Sequence, residues 1–124
     1  MTDKTATVQK LKDLVQKFSK ERNWDKHHTP RNLAVSIAIE AAELMEHFQW
    51  DDSREKNTAE LEGELADIVS YCLYFAVANK IDIAKAIEKK LDKVSKKYPV
   101  EMFNHETDDR KEYWRIKKNY RNKK

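Results

Sequence analysis

Residues 31–50 read RNLAVSIAIEAAELMEHFQW, a stretch apolar enough for a protein interior that nevertheless holds Glu40, Glu43 and Glu46. A carboxylate removed from water is costly unless a partner or a metal ion offsets its charge. On a helix turning about 100° per residue, Ser36, Glu40, Glu43 and His47 fall on one narrow polar stripe. Leu33, Ile37, Leu44 and Phe48 flank it on one side and Val35 and Ile39 on the other, with Ala34, Ala38 and Met45 on a third face. Glu46 points about a quarter-turn or more away. The next helical stretch repeats the arrangement: Glu60, Glu64, Asp67 and Tyr71 lie within about 60° of one another. Leu65, Ile68, Val69, Leu73 and Phe75 cover most of the remainder, and Glu62 points elsewhere.

The compact pattern is E-x2-E at Glu40 and Glu43, twenty residues, then E-x2-D at Glu64 and Asp67. A spacing of three puts each pair on one helical face. Two such helices packed antiparallel would bring the pairs face to face. Four carboxylates that close repel unless cations offset them, and oxygen-only ligands favour Mg2+ or Mn2+ over zinc or copper. Ordinary solvated acids paired with lysines are the competing reading. Apolar flanks on both stripes, and the recurrence of the stripe, favour the metal. A di-iron bundle requires an E-x-x-H pair on each of two helices. Here Glu43 and His47 are four apart and the later helix has no histidine, so that plan fits poorly. His47 is read as hydrogen-bonding within the acid stripe without being a ligand.

The elements that must position these groups are helices. The 124 residues suit one compact domain, and a single Gly with two Pro argues for long helices in an all-α fold. The glycine count also excludes a P-loop or a dinucleotide fingerprint. Cys72 is the only cysteine, so no intrachain disulfide or cysteine zinc site can form. No apolar run is long enough to span a bilayer and no signal peptide is evident, so a cytoplasmic protein is expected. The first helix is predicted at about residues 5 to 21, with Val8, Leu11, Val15 and Phe18 on one face. The second starts at the Thr29 cap and Pro30 and runs to about Trp50. The third starts from a capping box of Asn57 and Glu60 and continues to about Asn79. The fourth starts near Asp82, carries the stripe Ile83, Ile87, Leu91, Val94 and Tyr98, and stops at Pro99. Domain organisation is predicted as 1–106 for the helical domain and 107–124 for a basic tail, in which Tyr113, Ile116 and Tyr120 have the spacing of a short helix.

Beyond the acid pairs, the stretches WDKHHTPRNL, EAAELMEHFQW, ELADIVSY and KKLDKVSKKYP follow one another across roughly residues 18 to 99. In this order they resemble the all-α nucleoside triphosphate pyrophosphatases, the MazG-like superfamily, and within it the dCTP pyrophosphatase branch. The resemblance implies a four-helix MazG-like bundle and Mg2+-dependent hydrolysis between the α- and β-phosphates, giving a nucleoside monophosphate and pyrophosphate. It implies Glu40, Glu43, Glu64 and Asp67 as metal ligands, with Glu43 orienting the attacking water. It implies Trp24, His28, Asn32 and Trp50 as the nucleoside pocket, and Tyr71 and Lys90 as contacts to sugar or phosphate. Two positions depart from the pattern. Ile39 stands where many relatives have an acid, and dCTP-specific relatives also lack that acid. Val94 stands where the family usually has Asn, which implies base or sugar selectivity different from that for dCTP.

Net charge is +3, yet residues 110–124 carry eight Lys or Arg and one Glu, leaving −4 on the rest. RKEYWRIKKNYRNKK interleaves cations and rings, as in a module that binds nucleic acid or an anionic surface. A solvated extension is the preferred reading, with nucleic acid and membrane set aside as partners. The expected partners are a nucleoside triphosphate and further copies of the chain, as a homodimer or homotetramer. A second helix apolar on nearly every side needs more neighbours than three short helices supply, and the resemblance implies the same.

Overall fold

The computed structural model describes residues 1–50, 58–103 and 109–123. Five α-helices and no strand occur among these residues: α1 Val8–Glu21, α2 Pro30–Glu46, α3 Thr58–Ala78, α4 Ile83–Lys97 and α5 Arg110–Asn122. Short 3-10 turns lie at Asp25–His27 and Val100–Met102. The all-α expectation holds; Asn57 and its capping box fall outside the described residues. None of the described helices is long and apolar enough to cross a membrane.

Local chemistry sets the helix ends. The Thr7 hydroxyl accepts from the Lys10 amide at 3.0 Å and starts α1. The Thr29 hydroxyl accepts from the Asn32 amide at 3.2 Å, with Pro30 in the first turn, so α2 starts where the sequence predicts. Two helices close with left-handed residues, Asn23 at φ 56° after α1 and Lys80 at φ 55° after α3. In both, paired amides reach back to free carbonyls. Trp24 N–H donates to Ser19 O and Asn23 N–H to Lys20 O, while Ile81 N–H donates to Ala76 O and Lys80 N–H to Val77 O.

The end of α2 differs from the expectation. The helix stops at Glu46, not near Trp50, and His47, Phe48 and Gln49 donate to carbonyls three residues back. That tightening satisfies orphan carbonyls while ending the α-helix.

The chain divides into two compact units, Met1–Ile83 and Ala84–Lys124. In the first, α2 and α1 both pack along α3. His47, at the end of α2, meets Glu64 near the start of α3, and His28, just before α2, meets Tyr74 near the end of α3. The two helices therefore run antiparallel. Leu33, only 1% exposed, and Leu73 and Ala76 form the buried apolar part of this unit among the described residues. In the second unit the tail is helical as α5 and is not wholly solvated. Tyr113 stacks on Tyr98 with ring centroids 5.1 Å apart, and Ile116 is buried.

Candidate metal centre and adjoining cleft

The α2–α3 pairing brings carboxylates from both helices together. Glu40 and Glu43 of α2 and Glu64 of α3 each present an oxygen within 4.8 Å of the others. Asp67, one turn further along α3, is exposed and is not in that group of three. Its charge still contributes at Glu40. The Glu40 carboxyl is pushed up to about 7, first by its hydrogen bond with Glu43, then by burial, then by the charges of Glu43, Asp67 and Glu64. Like charges held together disfavour the ionised form, and sharing a proton relieves them. Glu40 Oε2 has no solvent contact and no hydrogen-bond partner. A buried oxygen without a partner, on a carboxylate grouped with two others, has the donor chemistry of a hard divalent cation site. The residues present fit such an ion.

His47, on the same stripe, lies with Nε2 3.2 Å from Glu64 Oε1, in agreement with the sequence reading. Glu46 is exposed, as its position off the stripe predicts.

Next to the acids is a cleft of about 430 Å³ lined by Trp24, His27, His28, Asn32, Leu33, Ser36 and Tyr71. Three of the four residues predicted for the nucleoside pocket, Trp24, His28 and Asn32, thus line it together with Tyr71, predicted as a sugar or phosphate contact. The left-handed Asn23 sets Trp24 at the mouth of the following turn, and the buried Ser19 hydroxyl donates to Asp25 Oδ1 at 2.9 Å to hold that turn. Asn32 Nδ2 donates to His27 O at 3.0 Å, which leaves its Oδ1 as the acceptor for a ligand. The His28 ring lies 4.4 Å from that of Tyr74. Burial holds His28 below the usual imidazole value, against Asp25 and with His27, so the ring is a neutral donor or acceptor near pH 7.

Trp24 and Tyr71 also belong to a second cleft of about 510 Å³, with Leu14, Val15, Phe18, Asp67, Ser70 and Tyr74. Here Phe18, predicted on one face of the first helix with Val8, Leu11 and Val15, is half-exposed and meets Trp24 edge-on at 5.6 Å. Sequence reasoning missed Phe18, Tyr74 and His27. Asp67, Tyr71 and Tyr74 succeed each other at helical spacings of four and three, a signal that could have found Tyr74. Trp50 is 90% exposed and lines neither cleft. Lys90 is an exposed residue of α4 in the second unit.

Residues 35–114 match the model of the MazG-like family. The chain is 33% identical over 104 residues to dCTP pyrophosphatase 1 of Rattus norvegicus. It is 31% identical over the same length to the protein of that name from Homo sapiens. The match covers 77% of this chain, which spans 61% of the length of each of those relatives. A crystal structure of a pyrophosphatase from Archaeoglobus fulgidus superposes with a TM-score of 0.71 at 38% identity, covering 80% of this chain and 98% of that one. The extent of the family match, over helices that bring Glu40, Glu43 and Glu64 together, shows that the chain belongs to the MazG-like family.

Proposed function

We propose that the protein is a Mg2+-dependent nucleoside triphosphate pyrophosphohydrolase that cleaves a dCTP-like (d)NTP to (d)NMP and pyrophosphate, with Mn2+ able to replace Mg2+. The observation that carries this reading is the oxygen-only group Glu40, Glu43 and Glu64 beside a ring-walled cleft. The names of the dCTP pyrophosphatase relatives support the substrate class. Glu40, Glu43, Glu64 and Asp67 are the proposed ligands. A bound divalent ion there would polarise a phosphoryl oxygen and neutralise charge on the leaving pyrophosphate.

The chain's own residues supply the rest. Glu43 orients the attacking water and accepts its proton as the α–β phosphoanhydride opens. Trp24 offers a ring face to the base, and stacking of this kind is worth roughly 1–3 kcal/mol per base in nucleic-acid complexes. The free Asn32 Oδ1 and the neutral His28 ring supply directional hydrogen bonds. Tyr71, between the cleft and Asp67, is assigned to the sugar or phosphate. Lys90 and Trp50 are assigned to phosphate and nucleoside through the family resemblance. The protein acts in the cytoplasm as a homodimer or homotetramer.

The test is incubation with a panel of NTPs and dNTPs plus Mg2+, with products identified by chromatography. A monophosphate and pyrophosphate in equal amounts are expected. Release of orthophosphate as the primary product would refute α–β cleavage.

A further inference from the structure

The end of α2 sets one imidazole between two carboxylates of α3. His47 Nε2 lies 3.2 Å from Glu64 Oε1, and its Nδ1 lies 3.9 Å from Glu60 Oε2. The inner contact is shielded: the His47 side chain is 21% exposed and that of Glu64 23%, whereas that of Glu60 is 61%. The break in α2 is part of this arrangement, because the tightened turn after Glu46 carries the ring.

We infer that His47 is a positioning residue that fixes the Glu64 carboxylate toward Glu40 and Glu43 before a cation arrives. The inference rests on the reading of these acids as metal ligands. Glu64 has several rotatable bonds, and repulsion from Glu40 and Glu43 favours rotamers that swing it out to solvent. The imidazole N–H opposes that swing by holding Oε1, while the carboxylate keeps an oxygen within 4.8 Å of both partners. Organising the ligand in advance removes part of the cost of binding the ion. Groups that hydrogen-bond a ligating side chain typically change metal affinity by roughly 10- to 100-fold when removed. Glu60, with a long and exposed contact, has a small part by comparison.

The experiment measures Mn2+ binding to the full chain without nucleotide, by the electron paramagnetic resonance signal of the free ion. His47→Ala is expected to weaken binding by roughly 10- to 100-fold. His47→Gln, which keeps an N–H donor, recovers part of the loss, and Glu60→Gln changes affinity by less than about threefold. In a Glu64→Gln background His47→Ala has no further effect, because the group it positions is gone. A general packing defect would instead add its effect there. Unchanged affinity in His47→Ala, with loss in Glu64→Gln, overturns the role of His47 alone. Unchanged affinity in Glu64→Gln overturns the metal centre itself.

Discussion

Glu40 is the group whose ionisation is most tightly tied to its surroundings. Its folded value of about 7 stands above the ordinary glutamate value of 4.5, with the hydrogen bond to Glu43 as the main cause. Between those values the folded protein holds a proton that the unfolded chain has released. Stability without metal is therefore full below the unfolded value and falls as pH rises through about 7. Thermal melts in a chelator from pH 5 to 8 should show that decline, and Glu40→Gln should flatten it. A wild-type melting temperature that climbs over that interval would contradict the shared proton. Glu40→Gln, Glu43→Gln, Glu64→Gln and Asp67→Asn should each remove most activity while the metal-free fold holds or gains stability, because each relieves repulsion. Full activity in any two would end the ligand assignment.

At the scale of the element, the start of α2 is set by one side chain. Thr29→Ala removes the acceptor for the Asn32 amide and should cost about 1 kcal/mol in urea denaturation. The same cap fixes the turn that carries His28 and Asn32, so the Michaelis constant should rise as well. In α5, Ile116→Ala deletes a buried side chain, and a loss of about 2 kcal/mol or more is expected if the tail helix is integral to its unit. A change below about 0.5 kcal/mol would return the tail to a solvated extension. The start of α2 was legible because Thr29 and Pro30 act locally, and α4 begins one residue after Asp82, as predicted. The meeting of Glu40, Glu43 and Glu64 was legible only on the condition that α2 and α3 run antiparallel, which residue spacing within each helix does not fix. The end of α2 was not, since no proline or glycine marks it and the tightened turn coincides with the contacts of His47 to α3. The cleft position of Phe18 was not legible either, because periodicity says which residues share a face but not whether that face is covered. It lines a cleft beside Trp24, a placement that depends on the left-handed turn at Asn23.

For the whole molecule, ligand binding and association are the expected sources of further stability. An ion or nucleotide that binds only the native state raises the melting temperature by mass action. Mg2+ with a non-hydrolysable triphosphate should therefore raise it further than either alone, and no shift at saturation would count against a preformed site. Association follows from what the chain leaves uncovered. Val35, Ile39 and Met45 of α2 and Leu65 and Val69 of α3 are all at least 43% exposed, and Met45 reaches 66%. Fully burying one such side chain contributes about 1.5–3 kcal/mol, so five of them partly covered by another copy would supply a large part of an association free energy. Sedimentation equilibrium at micromolar protein should give two or four times the monomer mass. Val35→Asp combined with Met45→Lys places charges on that apolar surface and away from the acid stripe. The double variant should shift toward monomer while keeping its helical circular dichroism. A wild-type protein that remains monomeric at tens of micromolar would show that these side chains face solvent in the working molecule.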